Sequence, residues 1–415
     1  MRRLTLAALP FAALACSGQS QPAGQGQAQG QSRAQAPTSD ARPFAVTPVA
    51  DFDQPWAMTF LPDRRMLVTE KDGRLLLVSA DGQSKRTVAT FPVDSAGQGG
   101  LHDVVLSPDF AQSRLVYVSG SVAGAGGKGV VLWRGRLGDT QLEGMVELFR
   151  ARPFVEGNGH YSGRIAFSPD GQYLFFTNGE RQKFTPAQDP KATLGKVLRL
   201  TLDGKPAPGN PLTAQGFAPE VWSYGHRNLL GIAFDQAGNL WNQEMGPEGG
   251  DELNLVLAGR NYGYPRVSNG RNYRAPTDDI PDHAPSDGFE APKVSWNPVI
   301  SPGGLMIYSG ALFPQWRGDA FIGGLSSQAL VRVDLDGVNA RTAASGTWAR
   351  ASGRWSRGRT GRFTCWRMAG AARKGGCCGS PRRASAGARS GARRTSRKHG
   401  RRASARPTPA CAGAG

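Results

Sequence analysis

The chain has 415 residues and a formal net charge of +18, from 50 Lys and Arg against 32 Asp and Glu. Residues 338–415 hold 19 of the basic side chains and no acidic one, so residues 1–337 carry 31 basic and 32 acidic side chains. A nucleic-acid-binding protein places its positive charge on a folded face. The near-neutral body therefore argues against nucleic acid as a partner.

The N-terminus has the pattern of a secretory signal over residues 1–15. Arg2 and Arg3 precede an apolar run that is too short to span a bilayer, and Ala13-Leu14-Ala15 gives a small-x-small cleavage site directly before Cys16. The pattern leaves two alternatives, ordinary cleavage or a lipoprotein acylated on Cys16. Both predict a periplasmic or secreted protein, and the second adds a lipid anchor.

The next segment, residues 16–42, consists mainly of Gly, Gln, Ala, Ser and Pro and predicts a flexible tether. The body that follows, residues 43–337, contains no cysteine and therefore no disulfide. It is rich in Gly, Pro and Asp, with short apolar runs between turn residues and no long helical periodicity, which indicates an all-β domain.

A strand–turn–strand unit recurs along this body. Each copy has an apolar strand, a turn built on residues such as Pro-Asp or Asp-Gly, and a second strand, and the copies span residues 57–78, 102–120, 163–179, 230–246 and 305–337. Spacings of roughly 45 to 75 residues are typical of one four-stranded propeller blade plus its loops. The repeat favours a β-propeller over the alternative, a β-sandwich with similar turns.

Five motifs appear in a fixed order: GQGGLHDVVLSPDF (97–110), NGHYSGRIAFSPDG (158–171), GKVLRLTLDGKPAPGNP (195–211), VWSYGHRNLLGIAF (221–234) and EMGPEGGDELNLVLAGRNYGYP (244–265). This series resembles the soluble glucose and aldose sugar dehydrogenases that depend on pyrroloquinoline quinone (PQQ). The resemblance covers about residues 45–337. It implies a six-bladed β-propeller with PQQ and the sugar at the mouth of the central channel.

The resemblance also assigns roles to individual residues. His160, before Ser-Gly-Arg, matches the family's catalytic base, and neutral imidazole suits removal of a hydroxyl proton. Arg227 and Asn228 match the pair that faces the reactive quinone carbonyl, where a guanidinium would stabilise developing negative charge. Gln98 matches a glutamine beside cofactor and sugar, and Tyr273 matches a residue that stacks on the cofactor.

Calcium is the second cofactor that the resemblance implies. The carbonyls of Gly246 and Pro247 match those that hold the calcium beside PQQ, while Glu252 and the Tyr262 carbonyl match a structural calcium site. Oxygen ligands of this kind are the ones that calcium prefers. The sequence departs from the family at Ser326, where a lysine can meet a PQQ carboxylate.

The basic segment 338–415 stands where the family has its last blade. In a neighbouring reading frame, with suitable third codon bases, residues 347–381 can be read as VGARIREVVPGPDGPVYVLEDG, a Gly-rich link and EGRLLRLTP. That reading restores the family's Arg-x-Arg motif, a Pro-Asp-Gly turn and a closing strand. We therefore interpret the segment as a frameshift product that replaces the last blade. The alternative is a true basic low-complexity tail.

The resemblance, with the residues that carry it, implies oxidation of the C1 hydroxyl of an aldose sugar to a lactone, with electrons passed to an external acceptor. Two alternatives remain at this point. A calcium-dependent propeller lactonase or another hydrolase would act without PQQ. A non-catalytic carbohydrate- or protein-binding propeller would turn over no sugar.

Overall fold

The computed structural model describes Phe44, residues 47–273 and 279–346, and three residue pairs at 356–357, 363–364 and 375–376. Within them the chain is almost entirely β-structure, and five four-stranded antiparallel sheets follow one another along the sequence. We call these sheets blades 1 to 5. The signal and tether predicted over residues 1–42 lie outside the described residues.

The four strands of each blade are consecutive in the sheet from the first to the last. Blade 1 comprises Pro55–Phe60, Met66–Glu70, Arg74–Val78 and Lys85–Thr90. Blade 2 comprises Leu101–Leu106, Leu115–Gly124, Gly127–Leu137 and Leu142–Arg150. Blade 3 comprises Ser162–Phe167, Tyr173–Asn178, Lys196–Thr201 and Val221–Tyr224.

The last two blades repeat the pattern. Blade 4 comprises Asn228–Phe234, Leu240–Met245, Asp251–Leu255 and Val294–Trp296. Blade 5 comprises Pro302–Ile307, Ala320–Gly324, Leu330–Asp336 and Asn339–Gly346. Short elements lie between strands: an α-helix at Phe110–Ser113, 3₁₀-helices at Thr185–Ala187, Thr213–Gln215 and Pro314–Trp316, and a small ladder between Glu248–Gly249 and Gly270–Arg271.

Each copy of the repeated sequence unit covers the first two strands of a blade, and the copies at 57–78 and 305–337 also include the third. In blade 3 the turn after Phe167 is closed by Ser168 and Asp170, whose side chains accept hydrogen bonds from backbone amides, and Gly171 supplies the positive φ of 71° that the turn requires. The first strands of successive blades contact one another around a common axis. The predicted all-β propeller is therefore confirmed.

Apolar side chains fill the space between neighbouring blades. Separate clusters lie between blades 1 and 2, 2 and 3, 3 and 4, and 4 and 5. Two further clusters lie on the opposite face of blade 1, around Met58 and Val68, and on the opposite face of blade 5, around Tyr308 and Phe321. Among the described residues, no four-stranded sheet covers these two end faces.

The fifth blade extends beyond the boundary that composition predicted. Its fourth strand, Asn339–Gly346, pairs with Leu330–Asp336, so the folded body continues to Gly346 rather than ending at Gly337. An outer strand is held by backbone hydrogen bonds, which is why a change of side-chain composition did not mark its end. Past Gly346 the described part of the chain adds only two-residue strands, and one of them pairs with Asp51–Phe52.

No helix in the described residues is long and apolar enough to cross a membrane.

Candidate active site

A cavity of about 540 Å³ opens at one end of the blades. It collects residues that are far apart in sequence, because the loops before the first strands and after the second strands meet there. Six residues predicted from the sequence line it together: Gln98, His160, Arg227, Gly246, Pro247 and Tyr273. Tyr273 stands at the edge, with 67% of its surface exposed.

His160 is held by a buried carboxylate. Its Nδ1 hydrogen-bonds Oε1 of Glu180, a residue that is completely buried. Glu180 also accepts backbone N–H bonds from Gln182 at 2.9 Å, Lys183 at 2.6 Å and Phe184 at 2.7 Å. A carboxylate that receives so many donors stays ionised, so the Nδ1 hydrogen points to Glu180 and the neutral ring has its lone pair on Nε2.

Burial sets the protonation state of this pair. Burial lowers the pKa of His160 below 6.5, and the Arg227 charge lowers it further, against the opposing effect of Glu180. Burial alone would raise the pKa of Glu180, but the hydrogen bond and charge of His160 bring it below 4.5. At neutral pH the imidazole is therefore neutral and able to accept a proton.

The backbone at His160 adopts an uncommon left-handed conformation, with φ of 49°. Its N–H donates to Oε1 of Gln98 at 2.7 Å, and its carbonyl accepts the Arg181 N–H at 3.3 Å. A Cβ on Gly179 would lie 2.1 Å from the His160 carbonyl oxygen, so only glycine fits there. Strained residues of this kind persist where the surroundings fix them, and they are common at functional sites.

Arg227 and Asn228 enter the site from the start of blade 4. The Arg227 N–H donates to Oε2 of Glu244 at 2.6 Å, and its Nη1 donates to the carbonyls of Met245 at 2.8 Å and Gly246 at 2.5 Å. Its Nε is buried without a hydrogen-bond partner among the described atoms. Asn228 is buried, does not line the cavity, and accepts a hydrogen bond from Ser162 at 3.2 Å.

A second, much smaller cavity adjoins the first. It has space for about 10 Å³, and Glu244, Gly246, Glu252 and Tyr262 are among its lining residues. Burial and the neighbouring Glu244 raise the pKa of Glu252 well above 4.5. Two buried carboxylates that face a space of this size favour a bound cation or a proton.

The remaining predicted metal ligands are backbone carbonyls. The described residues contain no cluster of three or more His, Cys, Asp or Glu side chains that could hold a metal, so a cation here depends on carbonyl oxygens. The Gly246 carbonyl already accepts from Arg227 and has one further lone pair. Asp251 fixes this loop by accepting the Gly246 N–H at 3.0 Å and the Ile300 N–H at 2.7 Å.

Several residues of the site were not predicted from the sequence. Glu180 holds His160, Arg181 lies 3.6 Å above the Tyr161 ring, and Glu244 holds Arg227. The available signal was positional, because Glu244 stands near the end of the second strand of its blade and Glu180 follows the end of the second strand of its blade by two residues. Ser326, the departure from the family, donates to the Val299 carbonyl at 3.1 Å.

Comparisons with known proteins agree with this architecture. The family model described as glucose/sorbosone dehydrogenase matches residues 52–354. The chain is 38% identical over 294 residues to the aldose sugar dehydrogenase YliI of Escherichia coli K12, which covers 69% of this chain and 78% of that protein. It is 31% identical over 251 residues to quinoprotein glucose dehydrogenase B of Acinetobacter calcoaceticus, over 53% of this chain and 52% of that protein.

Solved structures give the same result. The crystal structure of the soluble aldose sugar dehydrogenase of Escherichia coli in its apo form superposes with a TM-score of 0.74 at 33% identity, over 80% of this chain and 98% of that one. The PQQ-bound aldose sugar dehydrogenase of Streptomyces coelicolor superposes with a TM-score of 0.63 at 27% identity, over 80% of this chain and 96% of that one.

Proposed function

This chain belongs to the glucose/sorbosone dehydrogenase family, and from that membership we propose that it oxidises the C1 hydroxyl of aldose sugars to lactones with PQQ and calcium, and passes the electrons to an external acceptor. Oxidoreductase activity on a sugar follows from the family and from its relatives. The observation that carries the finer proposal is the cavity in which His160, held by Glu180, lies together with Arg227.

The cavity residues fit PQQ by charge and size. PQQ is a flat tricarboxylate, and Arg181, Lys183 and Arg227 line the cavity as cations. The buried and unpartnered Nε of Arg227 is a donor that a quinone or carboxylate oxygen would satisfy. A volume of about 540 Å³ is within the usual range for a small-molecule site. The PQQ-bound relative from Streptomyces coelicolor supports the same proposal.

Calcium would fit the smaller cavity and the loop above it. Glu252 and the Tyr262 carbonyl would supply ligands in the small cavity, where burial and the neighbouring Glu244 raise the pKa of Glu252. The Gly246 and Pro247 carbonyls, in the lining of the larger cavity, would hold a second ion. A divalent cation would remove the mutual repulsion of Glu244 and Glu252.

The chain's own residues provide proton removal and orientation. When bound, PQQ supplies the two-electron acceptor for the sugar's C1 hydrogen as hydride. Nε2 of His160 accepts the C1 hydroxyl proton, so that C1 and its oxygen form the carbonyl of the lactone. Glu180 keeps Nδ1 protonated and stabilises the imidazolium that forms. Arg227 places positive charge beside the site, where negative charge develops during the reaction.

A dye-reduction assay tests this function. The 415-residue chain and a version with the last blade's reading frame restored are each supplied with PQQ and calcium and assayed with a panel of aldoses and an artificial acceptor. We expect sugar-dependent dye reduction that His160→Ala abolishes. Lactone hydrolysis without PQQ would favour the hydrolase alternative, and no turnover of any sugar would favour a binding propeller.

A further inference from the structure

The first strands of all five blades are interrupted at the same level. Each carries a register shift near its start, between residues 55 and 57, 101 and 104, 162 and 165, 229 and 231, and 302 and 305. A bulge leaves backbone groups without their ladder partners. The five bulges therefore surround the propeller axis with amides and carbonyls that need other partners.

Arg164, in the bulge of blade 3, reaches all four other blades. Its guanidinium lies 3.8 Å above the Trp56 ring of blade 1 and 3.6 Å from Asp103 of blade 2. It donates through Nε to the Leu230 carbonyl of blade 4 at 2.7 Å and through Nη2 to the Gly303 carbonyl of blade 5 at 2.7 Å. Arg164 is 3% exposed, and only a planar fork of donors can reach these partners at once.

A hydroxyl on the second strand closes each of the first three junctions. Thr69 accepts from Ala57 N–H at 2.9 Å and donates to the carbonyl of His102 in blade 2 at 2.7 Å. Ser119 plays the same part between blades 2 and 3. Thr177 accepts from Arg164 N–H at 2.8 Å and donates to the carbonyl of Leu229 in blade 4 at 3.3 Å.

The junction between blades 3 and 4 is continuous over four residues. Blade 3 donates to the Arg227 carbonyl from Glu180 N–H at 2.9 Å, to the Asn228 side chain from Ser162, to the Leu229 carbonyl from Thr177 and to the Leu230 carbonyl from Arg164. His160 precedes this seam on the blade 3 side, and Arg227 begins it on the blade 4 side.

We infer that Arg164 and Thr177 are positioning residues that set the placement of Arg227 against His160. The inference rests on the proposed function, because it concerns the base and the cation of that reaction. Neither residue lines the cavity. Their effect passes through the first strand of blade 4, which starts directly after Arg227. Thr177 donates to the Leu229 carbonyl of that strand, and Arg164 donates to the next carbonyl, that of Leu230.

The pKa of His160 reports the position of Arg227 relative to the imidazole, and it can be measured without any catalytic activity. The Arg227 charge lowers the pKa of His160, while Glu180, which raises it, belongs to the same blade as His160. Loss of the Thr177 bond to the Leu229 carbonyl should therefore shift Arg227, while Glu180 keeps its place because its carboxylate is held by His160 and by three backbone amides of its own loop. In the full 415-residue chain, with the His160 signal assigned by His160→Gln, NMR titration of Thr177→Val should show the His160 pKa raised above its wild-type value. In the dye assay kcat should fall roughly 10- to 100-fold with KM little changed.

The sequence offers matched controls. Thr69→Val removes the equivalent two hydrogen bonds, one within blade 1 and one from blade 1 to blade 2, and should leave the His160 pKa and kcat unchanged. Thr177→Ser keeps the hydroxyl, as Ser119 does one blade earlier, and should behave as wild type. Arg164→Lys keeps the charge but loses the planar fork of donors. It should give the raised His160 pKa and lower kcat expected of Thr177→Val, and it serves as the test if Thr177→Val does not fold.

The outcomes separate the two proposals. An unchanged His160 pKa in both Thr177→Val and Arg164→Lys, with thermal destabilisation like that of Thr69→Val, would overturn the positioning role. Absence of sugar oxidation in both the 415-residue chain and its frame-restored version would instead refute the proposed function, and the titration would still decide whether the seam places Arg227 against His160.

Discussion

Replacing Glu180 by glutamine should disable the imidazole while changing only one atom of the side chain. The carboxylate receives four hydrogens, from His160 and Gln182 on Oε1 and from Lys183 and Phe184 on Oε2. A glutamine amide has only one acceptor oxygen. If that oxygen keeps the hydrogen bonds from the Lys183 and Phe184 amides, the NH₂ group of the glutamine faces the Gln182 amide and Nδ1 of His160. The imidazole must then carry its hydrogen on Nε2.

The opposite orientation preserves the tautomer but leaves two backbone N–H groups facing an NH₂ group. Each unpaired buried donor costs about 1–3 kcal/mol. The first orientation leaves one such donor and the second leaves two, so the inactive tautomer is favoured by about 1–3 kcal/mol. Loss of the charge-assisted bond to the imidazolium adds about 1.5–3 kcal/mol to the barrier. Together these effects predict a kcat lower by roughly 10²- to 10⁴-fold.

Dye reduction with PQQ, calcium and saturating sugar measures this loss. Glu220→Gln is the matched control, because Glu220 is equally buried but pairs with Arg152 outside the cavity lining. A second signature is the acidic limb of the pH profile. Glu180 raises the pKa of His160, so in Glu180→Gln this limb should move to lower pH. A Glu180→Gln enzyme within threefold of wild-type kcat would refute the proposed tautomer control.

Three other predictions concern the metal, the N-terminus and the tail. Burial raises the pKa of Asp251 from 3.8 to about 6, so in the presence of a chelator the free energy of unfolding should fall between pH 4 and pH 6, by up to ~3 kcal/mol once Asp251 ionises. Added calcium should restore this stability in the wild-type chain but not in Glu252→Gln. If Cys16 is acylated, Cys16→Ala should release the protein from membranes, and equal membrane association would exclude the anchor. Resequencing codons 338–347 should reveal a one- or two-base insertion or deletion, whereas an intact frame would favour a true basic tail.

The sequence predicted the repeat better than the contacts between its copies. Strand–turn–strand units repeat with visible spacing, so all five blades could be located. The motif around His160 predicted a base, but its partner Glu180 lies 20 residues later and meets it only through the blade geometry. Arg164 stood in the same motif without any sign that it would reach four other blades. The end of blade 5 was predicted too early because backbone pairing has no signature in composition.

The serial order of the blades implies an uneven distribution of stability. Among the described residues the first strands contact their neighbours in sequence, so each blade is stabilised mainly by the two beside it. Such an array opens from its ends, and amide hydrogens should exchange fastest in blades 1 and 5, because among the described residues each of them packs mainly against one other four-stranded sheet. Blade 3, which carries His160 and Arg164, is the middle member. Unfolding that begins at a terminal blade would therefore reach His160 last.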